Sequence, residues 1–204
     1  IMLSYDRKVA RLFLGKATTA AGDFGFGQIV GRRKREEIFP EGFETRAGKV
    51  RFSAANRPMV FGRLEGSDVH SHAGDVDITF RADGSYDWAA RGWEARESRR
   101  LNPDLPTYIL GAPEGSIHVR GVVRGKVLVY SPERIVIADD ITYASDPRSP
   151  SSSDYLGLVS DRFVDVAGPR ETGPGDLTIH AAVYAKRRFT VTHTYLRKTA
   201  TLFI

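Results

Sequence analysis

Three stretches of this chain can be written under one another without a gap. Val129–Ile137 reads VYSPERIVI, Leu158–Val166 reads LVSDRFVDV, and Val183–Val191 reads VYAKRRFTV. Each opens on an apolar residue and carries Ser or Ala at its third position. Positions three to six form a polar corner, broken only by Phe163. Positions seven and nine are apolar throughout: Ile135 and Ile137, Val164 and Val166, Phe189 and Val191. Period-two alternation on either side of a polar corner predicts strand, tight turn, strand, with one face of each strand turned inward. A phase-locked unit of this kind constrains the fold strongly. One copy cannot bury its own apolar face, so copies must stack on one another.

The spacing between copies supports stacking. Ile117 and Val119, in Ser116–Gly121, look like the same paired positions one unit earlier. Ile117 and Ile135 are 18 residues apart, Ile135 and Val164 are 29, and Val164 and Phe189 are 25. The excesses over 18, of 11 and 7 residues, are about the size of two Pro/Gly/Ser-rich stretches, Ser145–Asp154 and Gly168–Gly175, which are ten and eight residues long. A bare coil of 18 residues with two inserted edge loops accounts for all three spacings. Val69–Ile78 (VHSHAGDVDI) reads as a weaker copy with one extra residue in its corner. The expected fold is therefore all-β: a right-handed parallel β-solenoid, or β-helix, with short coils and inserted loops. The alternative is a β-sandwich, whose strands need no common phase and whose turns recur every ~8–12 residues. Asn-Gly is absent, and Asp83-Gly84 is one candidate hairpin.

One β-rich domain over 1–204 is expected, in keeping with 204 residues of which 41% are hydrophobic. Within it, 1–83 reads as irregular strands, 84–110 as an excursion, and 111–204 as regular coils. Trp93–Leu101, rich in Glu and Arg and stopped by Asn102-Pro103, predicts a short helix in the excursion. Trp88 and Trp93 are placed to cap the apolar stack or to pack the excursion onto its side.

Several function classes are excluded or disfavoured. The chain has no cysteine, which rules out disulfides, Cys-based zinc or iron–sulfur sites and a thiol nucleophile. No run reaches the ~18 apolar residues needed to cross a membrane. The opening IMLSYDRKVARLFLG is broken by charges and lacks a signal-peptide cleavage pattern; together with Ile1 it suggests a fragment or processed chain. The net charge of +5 is spread over scattered arginines, and Arg32–Arg35 is followed by Glu36-Glu37. A nucleic-acid or other polyanion site would instead gather Arg32–Arg35, Arg96–Arg100 and Lys186–Arg188 on one face.

Candidate chemistry is sparse. His70 and His72 share a strand face and could ligate a metal with Asp68 or Asp75, yet the coil phase puts them on the solvent side, with Ser71 inward. His118 and His180 follow inward residues and should point outward. Asp139, Asp140, Asp165 and Arg134 could converge as in β-helix enzymes that act on polysaccharides, or hold calcium. An Asp at a turn more often binds its own backbone, and Gly168 and Pro169 stand at the next-coil counterparts of Asp139 and Asp140. Gly22–Gly27 matches no phosphate-binding fingerprint, and Gly-x-Ser-x-Gly is absent. Tyr130, Tyr143, Tyr155 and Tyr184 could form an aromatic stripe that stacks on sugars. No catalytic residue, metal site or cofactor is expected.

Three segments carry a family resemblance: Gly121–Pro147, Asp154–Ala167 and Gly175–Val191. The G-x-V-x-G-x-V-x-V-Y-S opening, the D-D-I-x-Y-A step, the L-G-L-V strand and the D-L-x-I-x-A-A-V-x-A strand occur in order. With the V-H-S of Val69–Ser71, they resemble an uncharacterised bacterial domain of type IV pilus accessory, PilX-like proteins. The resemblance implies a β-rich extracytoplasmic domain behind a prepilin-like hydrophobic helix, for which only Met2–Gly15 stands in this sequence. It brings no activity and no catalytic residues.

The expected function is a non-enzymatic structural or interaction module of the bacterial envelope, periplasmic or at the cell surface, and associated with a type IV pilus. Loops on a rigid scaffold carry recognition, so Ser145, Asp146, Arg148, Ser151, Asp154, Arg170 and Glu171 are the candidate partner-binding residues. The expected partner is an envelope or pilus protein, with self-association open, nucleic acid not expected, and membrane reached only through a segment outside this sequence. The alternatives are a bactofilin-like self-assembling scaffold and a carbohydrate-binding or carbohydrate-active β-helix.

Overall fold

A computed structural model describes residues 17–18, 42–48, 68–147, 149–173, 177–191 and 200–203. Met2–Gly15, Gly22–Gly31, Arg32–Arg35, the stretch Lys49–Ser53, Arg148 and residues 174–176 lie outside the described residues. The chain divides into two compact units, Ile1–Asn56 and Arg57–Ile204. In the first, β1 (Ala17–Thr18) pairs in parallel with β2 (Phe43–Glu44).

The second unit is all-β. In chain order it contains β3 (Asp68–Ser71), β4 (Val76–Arg81), β5 (Ser85–Ala90), β6 (Glu97–Arg100), β7 (Thr107–Leu110), β8 (Ser116–Val123) and β9 (Lys126–Ser131). These are followed by β10 (Arg134–Tyr143), β11 (Tyr155–Ser160), β12 (Phe163–Val166), the single-turn helix α1 (Pro169–Thr172), β13 (Leu177–His180), β14 (Ala182–Ala185), β15 (Arg188–Val191) and β16 (Ala200–Phe203). A five-stranded sheet runs β14-β11-β9-β7-β3. A nine-stranded sheet runs β15-β12-β10-β8-β4-β5-β6, and β13 joins it by pairing with β10 and β16. Among the described residues, every pairing in these two sheets is parallel except β4–β5 and β5–β6.

The gapless repeat is the strand register. Val129, Leu158 and Val183 are successive Cα partners in the smaller sheet, and Ile135, Val164 and Phe189 are successive partners in the larger one. The second ladder extends back through Ile117 to Val76, and a parallel one runs through Ile78, Val119, Ile137, Val166 and Val191. Val76, Ile117, Ile135 and Val164 are fully buried, in one core to which both sheets contribute. Each such side chain contributes about 1.5–3 kcal/mol by leaving water. The two loops of the spacing argument fall outside the strands, one between β10 and β11 and one between β12 and β13.

The third position of the repeat has a structural reason. Ser131 and Ser160 are fully buried at the corners. Ser160 Oγ accepts hydrogen bonds from the Arg162 and Phe163 amides, both at 3.1 Å, and donates to the Glu133 carbonyl of the preceding corner at 3.3 Å. Ser131 does the same, accepting from Glu133 and Arg134 and donating to the Gly115 carbonyl at 3.2 Å. One hydroxyl thus caps its own corner and ties it to the one before.

The excursion differs from expectation. Asp83-Gly84 does turn a hairpin, with Arg81 opposite Ser85 and Gly84 at φ +81°, a conformation that glycine adopts without steric cost. The helix predicted over Trp93–Leu101 is absent. Glu97–Arg100 is instead β6, antiparallel to β5. Cross-strand partners on both faces override helix propensity here. Arg99 lies over the Trp88 ring at 5.6 Å, and Ser98 Oγ donates to Asp87 at 2.6 Å. The charges of β6 also suit an edge strand, where they discourage pairing with another chain.

Candidate functional site

The candidate loop residues are held down by acid–backbone bonds. Asp154 closes the loop between β10 and β11. Its Oδ2 accepts from the Ser145 amide at 2.9 Å and the Ser145 hydroxyl at 2.5 Å, and its Oδ1 accepts from the Gly125 amide at 2.7 Å. Burial pushes the Asp154 carboxyl up. The Ser145 and Gly125 hydrogen bonds and the nearby Arg124 outweigh that and leave it below the usual carboxylate range. Ser145 Oγ also pairs with Ser152 Oγ at 2.7 Å, and Ser151 Oγ pairs with Ser149 Oγ at 2.8 Å. The Asp146 carbonyl accepts the Ser149 amide at 2.9 Å. Ser145, Ser151 and Asp154 line a polar pocket of about 320 Å³ together with Ala82, Arg124 and Ser153.

The second loop folds onto the larger sheet. Glu171 Oε1 lies 3.2 Å from Arg91 Nη2 and 3.3 Å from His118 Nδ1, while Arg170 is exposed. Arg91 also reaches Asp77 at 3.2 Å. His118 points away from the core as expected, between Ile117 and Val119, but it is buried rather than solvent-facing. Burial and Arg91 lower its pKa, against the opposing pull of Glu171 and Asp77. In the sequence His118 and Glu171 stand 53 residues apart, with no local pattern to join them. The two candidate loops thus hold different partners: Asp154 closes on Ser145 and Gly125, and Glu171 on Arg91 and His118.

A third cluster lies on the opposite side of its strand from the one expected. Ser71 is exposed, whereas His72 is buried and His70 half-buried. His70 is the register partner of Ile109, and through it of Val129 and Leu158, so it occupies an inward rung. Aligning the early copy on Val76 rather than Val69 removes the extra corner residue and places His70 under Val129. The inward His70 meets Tyr86, whose partner on β4, Phe80, is also buried. His70 Nε2 is 3.1 Å from Asp68, His70 Nδ1 is 2.8 Å from the Tyr86 hydroxyl, and His72 Nε2 is 3.2 Å from the same hydroxyl.

These distances define a directional chain. His70 donates from Nε2 to Asp68, so its Nδ1 accepts from Tyr86. Tyr86 in turn accepts from His72 Nε2–H, which leaves His72 Nδ1 as a lone acceptor. His72 Nδ1 and Trp88 Nε1 are indeed buried without a hydrogen-bond partner, and the two rings lie 4.5 Å apart. Burial, Arg99 and His70 lower the His72 pKa to about 4, and burial pushes the Tyr86 phenol up to about 12. No cluster of three metal-ligating side chains occurs here or elsewhere among the described residues.

Other carboxylates serve the backbone. Asp140 accepts the Thr178 amide at 2.6 Å, Asp139 accepts the Asp140 amide at 2.9 Å, and Asp75 accepts both the amide and the hydroxyl of Ser116 at 2.7 Å. Arg134 approaches Asp165 at 3.6 Å. His180 Nδ1 accepts the Tyr143 amide at 3.1 Å. The tyrosines do not form one stripe. Tyr130 is buried and donates to Asp161 at 2.7 Å, the Tyr143 hydroxyl accepts the Leu156 amide at 3.2 Å, and Tyr155 is exposed. Comparison with family models, curated proteins and solved structures finds no match to this chain.

Proposed function

We propose that Arg57–Ile204 is a parallel β-solenoid acting as a non-enzymatic scaffold of the bacterial envelope, at the periplasmic or outer surface. The observation that carries this reading is the register: residues related by the gapless repeat are Cα partners in two sheets that share one core. From β7 to β12, successive strands alternate between the sheets, and each pairs in parallel with its counterpart one unit on. Such a path suits a coil, whereas a sandwich built from hairpins would pair its strands antiparallel. A scaffold role is supported by the use of Asp75, Asp139, Asp140 and Asp154 as backbone caps. Recognition is assigned to the loops bounded by Ser145 and Asp154 and by Gly168 and Gly175. Association with a type IV pilus rests on the resemblance of Gly121–Val191 alone.

The bactofilin-like alternative needs a bare stack at each end. The antiparallel, charged β6 at one edge of the larger sheet weighs against it. Electron microscopy with mass measurement on the purified chain tests the choice. Discrete particles of fixed mass are expected, whereas filaments with an axial repeat near ~4.8 Å would replace the accessory reading with the polymer.

A further inference from the structure

The corners between the two sheets change charge along the stack. Strand register and corner bonds align Pro132, Glu133 and Arg134 with Asp161, Arg162 and Phe163, and these with Lys186, Arg187 and Arg188. Each of the first two corners balances one acid against one base, whereas the third holds three bases and no acid. The third corner also lacks the serine cap. Ala185 stands in register with Ser160, and the Arg187 and Arg188 amides donate to the Arg162 carbonyl at 3.0 and 3.2 Å.

The neighbouring acids are already engaged. Glu133 pairs with Arg162 at 2.8 Å, Asp161 accepts from Tyr130 at 2.7 Å, and Asp165 lies 3.6 Å from Arg134. Lys186, Arg187 and Arg188 are exposed, and among the described residues no carboxylate pairs with any of them. Arg188 and Arg134 lie over the Phe163 ring at 5.3 and 5.4 Å. Arg187 follows Arg162 on the adjacent corner, and like charges on neighbouring strands are destabilising. The fold gathers this charge at a cost and does not neutralise it.

The cationic area is short. Arg134 and Arg162 beside it are matched, and the corner before β8 exposes Glu114. The β6 arginines stand at the opposite end of the larger sheet from β15. A nucleic acid needs a basic track spanning about four nucleotides or more, which one corner does not supply. A compact group of arginines and a lysine instead suits a short acidic peptide motif, held by charge-assisted hydrogen bonds.

We propose that the β14–β15 corner docks a short acidic segment of a protein partner, whose carboxylates meet Lys186, Arg187 and Arg188. The site involves neither the Ser145–Asp154 nor the Gly168–Gly175 loop, and it does not depend on the envelope reading.

Fluorescence anisotropy of a labelled hexaglutamate peptide, titrated with the full chain, tests it. Binding that salt weakens is expected, with none for hexalysine. Arg187→Gln should weaken binding by up to about five-fold, the upper end for one exposed ion pair, and adding Lys186→Gln should weaken it further. The Tm of both variants should match the parent, because neither side chain has a partner among the described residues. Lys126→Gln, which removes an exposed cation from β9, should leave binding as it was. No binding of hexaglutamate, no loss in the double variant, or an equal loss in Lys126→Gln would each overturn the proposal. So would tighter binding of an oligothymidylate or a heparin oligosaccharide at matched charge, which would assign the corner to nucleic acid or glycan. Displacement of the peptide by an equal concentration of inorganic phosphate would assign it to a free anion and overturn the proposal too.

Discussion

The Nδ1 atom of His70 stands 2.8 Å from the hydroxyl of Tyr86, on a rung that Ile109, Val129 and Leu158 fill with hydrocarbon. The interior is apolar along most of its ladders and polar at this end. The polar groups are viable there because each donor in the chain from His72 to Asp68 has an acceptor. Tyr86→Phe removes the link while keeping the ring. It strands the His70 acceptor and the His72 donor, and should cost about 1–3 kcal/mol. Chemical denaturation should show a lowered midpoint with an unchanged slope; an unchanged midpoint would mean that the hydroxyl carries no net stability.

The same cluster sets a pH dependence. His72 has its pKa lowered from 6.5 to about 4, chiefly by burial. Between those values the unfolded chain binds a proton that the folded chain does not, so the stability due to His72 falls as pH drops from about 6.5 towards 4, below which the lowered pKa values of Asp75, Asp87 and Asp154 carry the loss further. The lowered pKa values of His118 and His180, also led by burial, act in the same direction. Thermal melts over this range should show a falling Tm, and His72→Gln should flatten the slope. A Tm that rises on acidification would contradict the buried, neutral assignment.

The corner serines predict a position-specific loss. Ser160→Ala removes two amide caps and the bond to the Glu133 carbonyl, while the Phe163 amide keeps its own bond to that carbonyl. A loss of about 1–2 kcal/mol is expected, measured by denaturant titration. Ser149→Ala, in the exposed loop, serves as the control and should stay within about 0.5 kcal/mol of the parent.

Gly121 should tolerate no side chain. It has φ +104°, and a Cβ there would collide with the Phe80 carbonyl oxygen, on backbone that cannot swing aside. Gly121→Ala is expected to cost more than about 3 kcal/mol, beyond the common range for single changes. Soluble expression with a near-native Tm would show that β4 and β8 can separate at this point.

Asp154→Ala should loosen one loop and leave the core intact. The carboxylate is the group that joins Ser145 and Gly125 across the loop base. Limited proteolysis should cut faster between Ser145 and Asp154 while the Tm changes little. Parallel faster cleavage within 168–173 would indicate a global effect instead.

Much of the second unit is legible in its sequence because the repeat is local and gapless. Positions seven and nine of the first two copies name the buried ladder, whereas Phe189 in the third keeps the register but is exposed, and residues exceeding the unit name the loops. The departures have physical causes. Anchoring the early copy on Val69 favours valine, the commoner core residue, and that choice turns His70 and His72 outward. The β6 segment reads as helix because Glu and Arg favour helices when isolated, whereas Trp88 and Asp87 supply cross-strand partners that no local window contains. The grip of Glu171 on Arg91 and His118 spans 80 and 53 residues and leaves no periodic trace.

The placement of the two loops has a consequence for how such a chain can diversify. Among the described residues, neither insert contributes to the strand registers on either side of it. The stretch from Asp146 to Ser153 can therefore be rewritten or lengthened without altering a rung, provided that Ser145 and Asp154 survive as the clasp. Adding residues to a closed surface loop costs only about 0.6 kcal/mol for each doubling of its length. Selection is free to act on the loop's content while the pair at its base preserves its mounting, as in a socket that accepts different fittings.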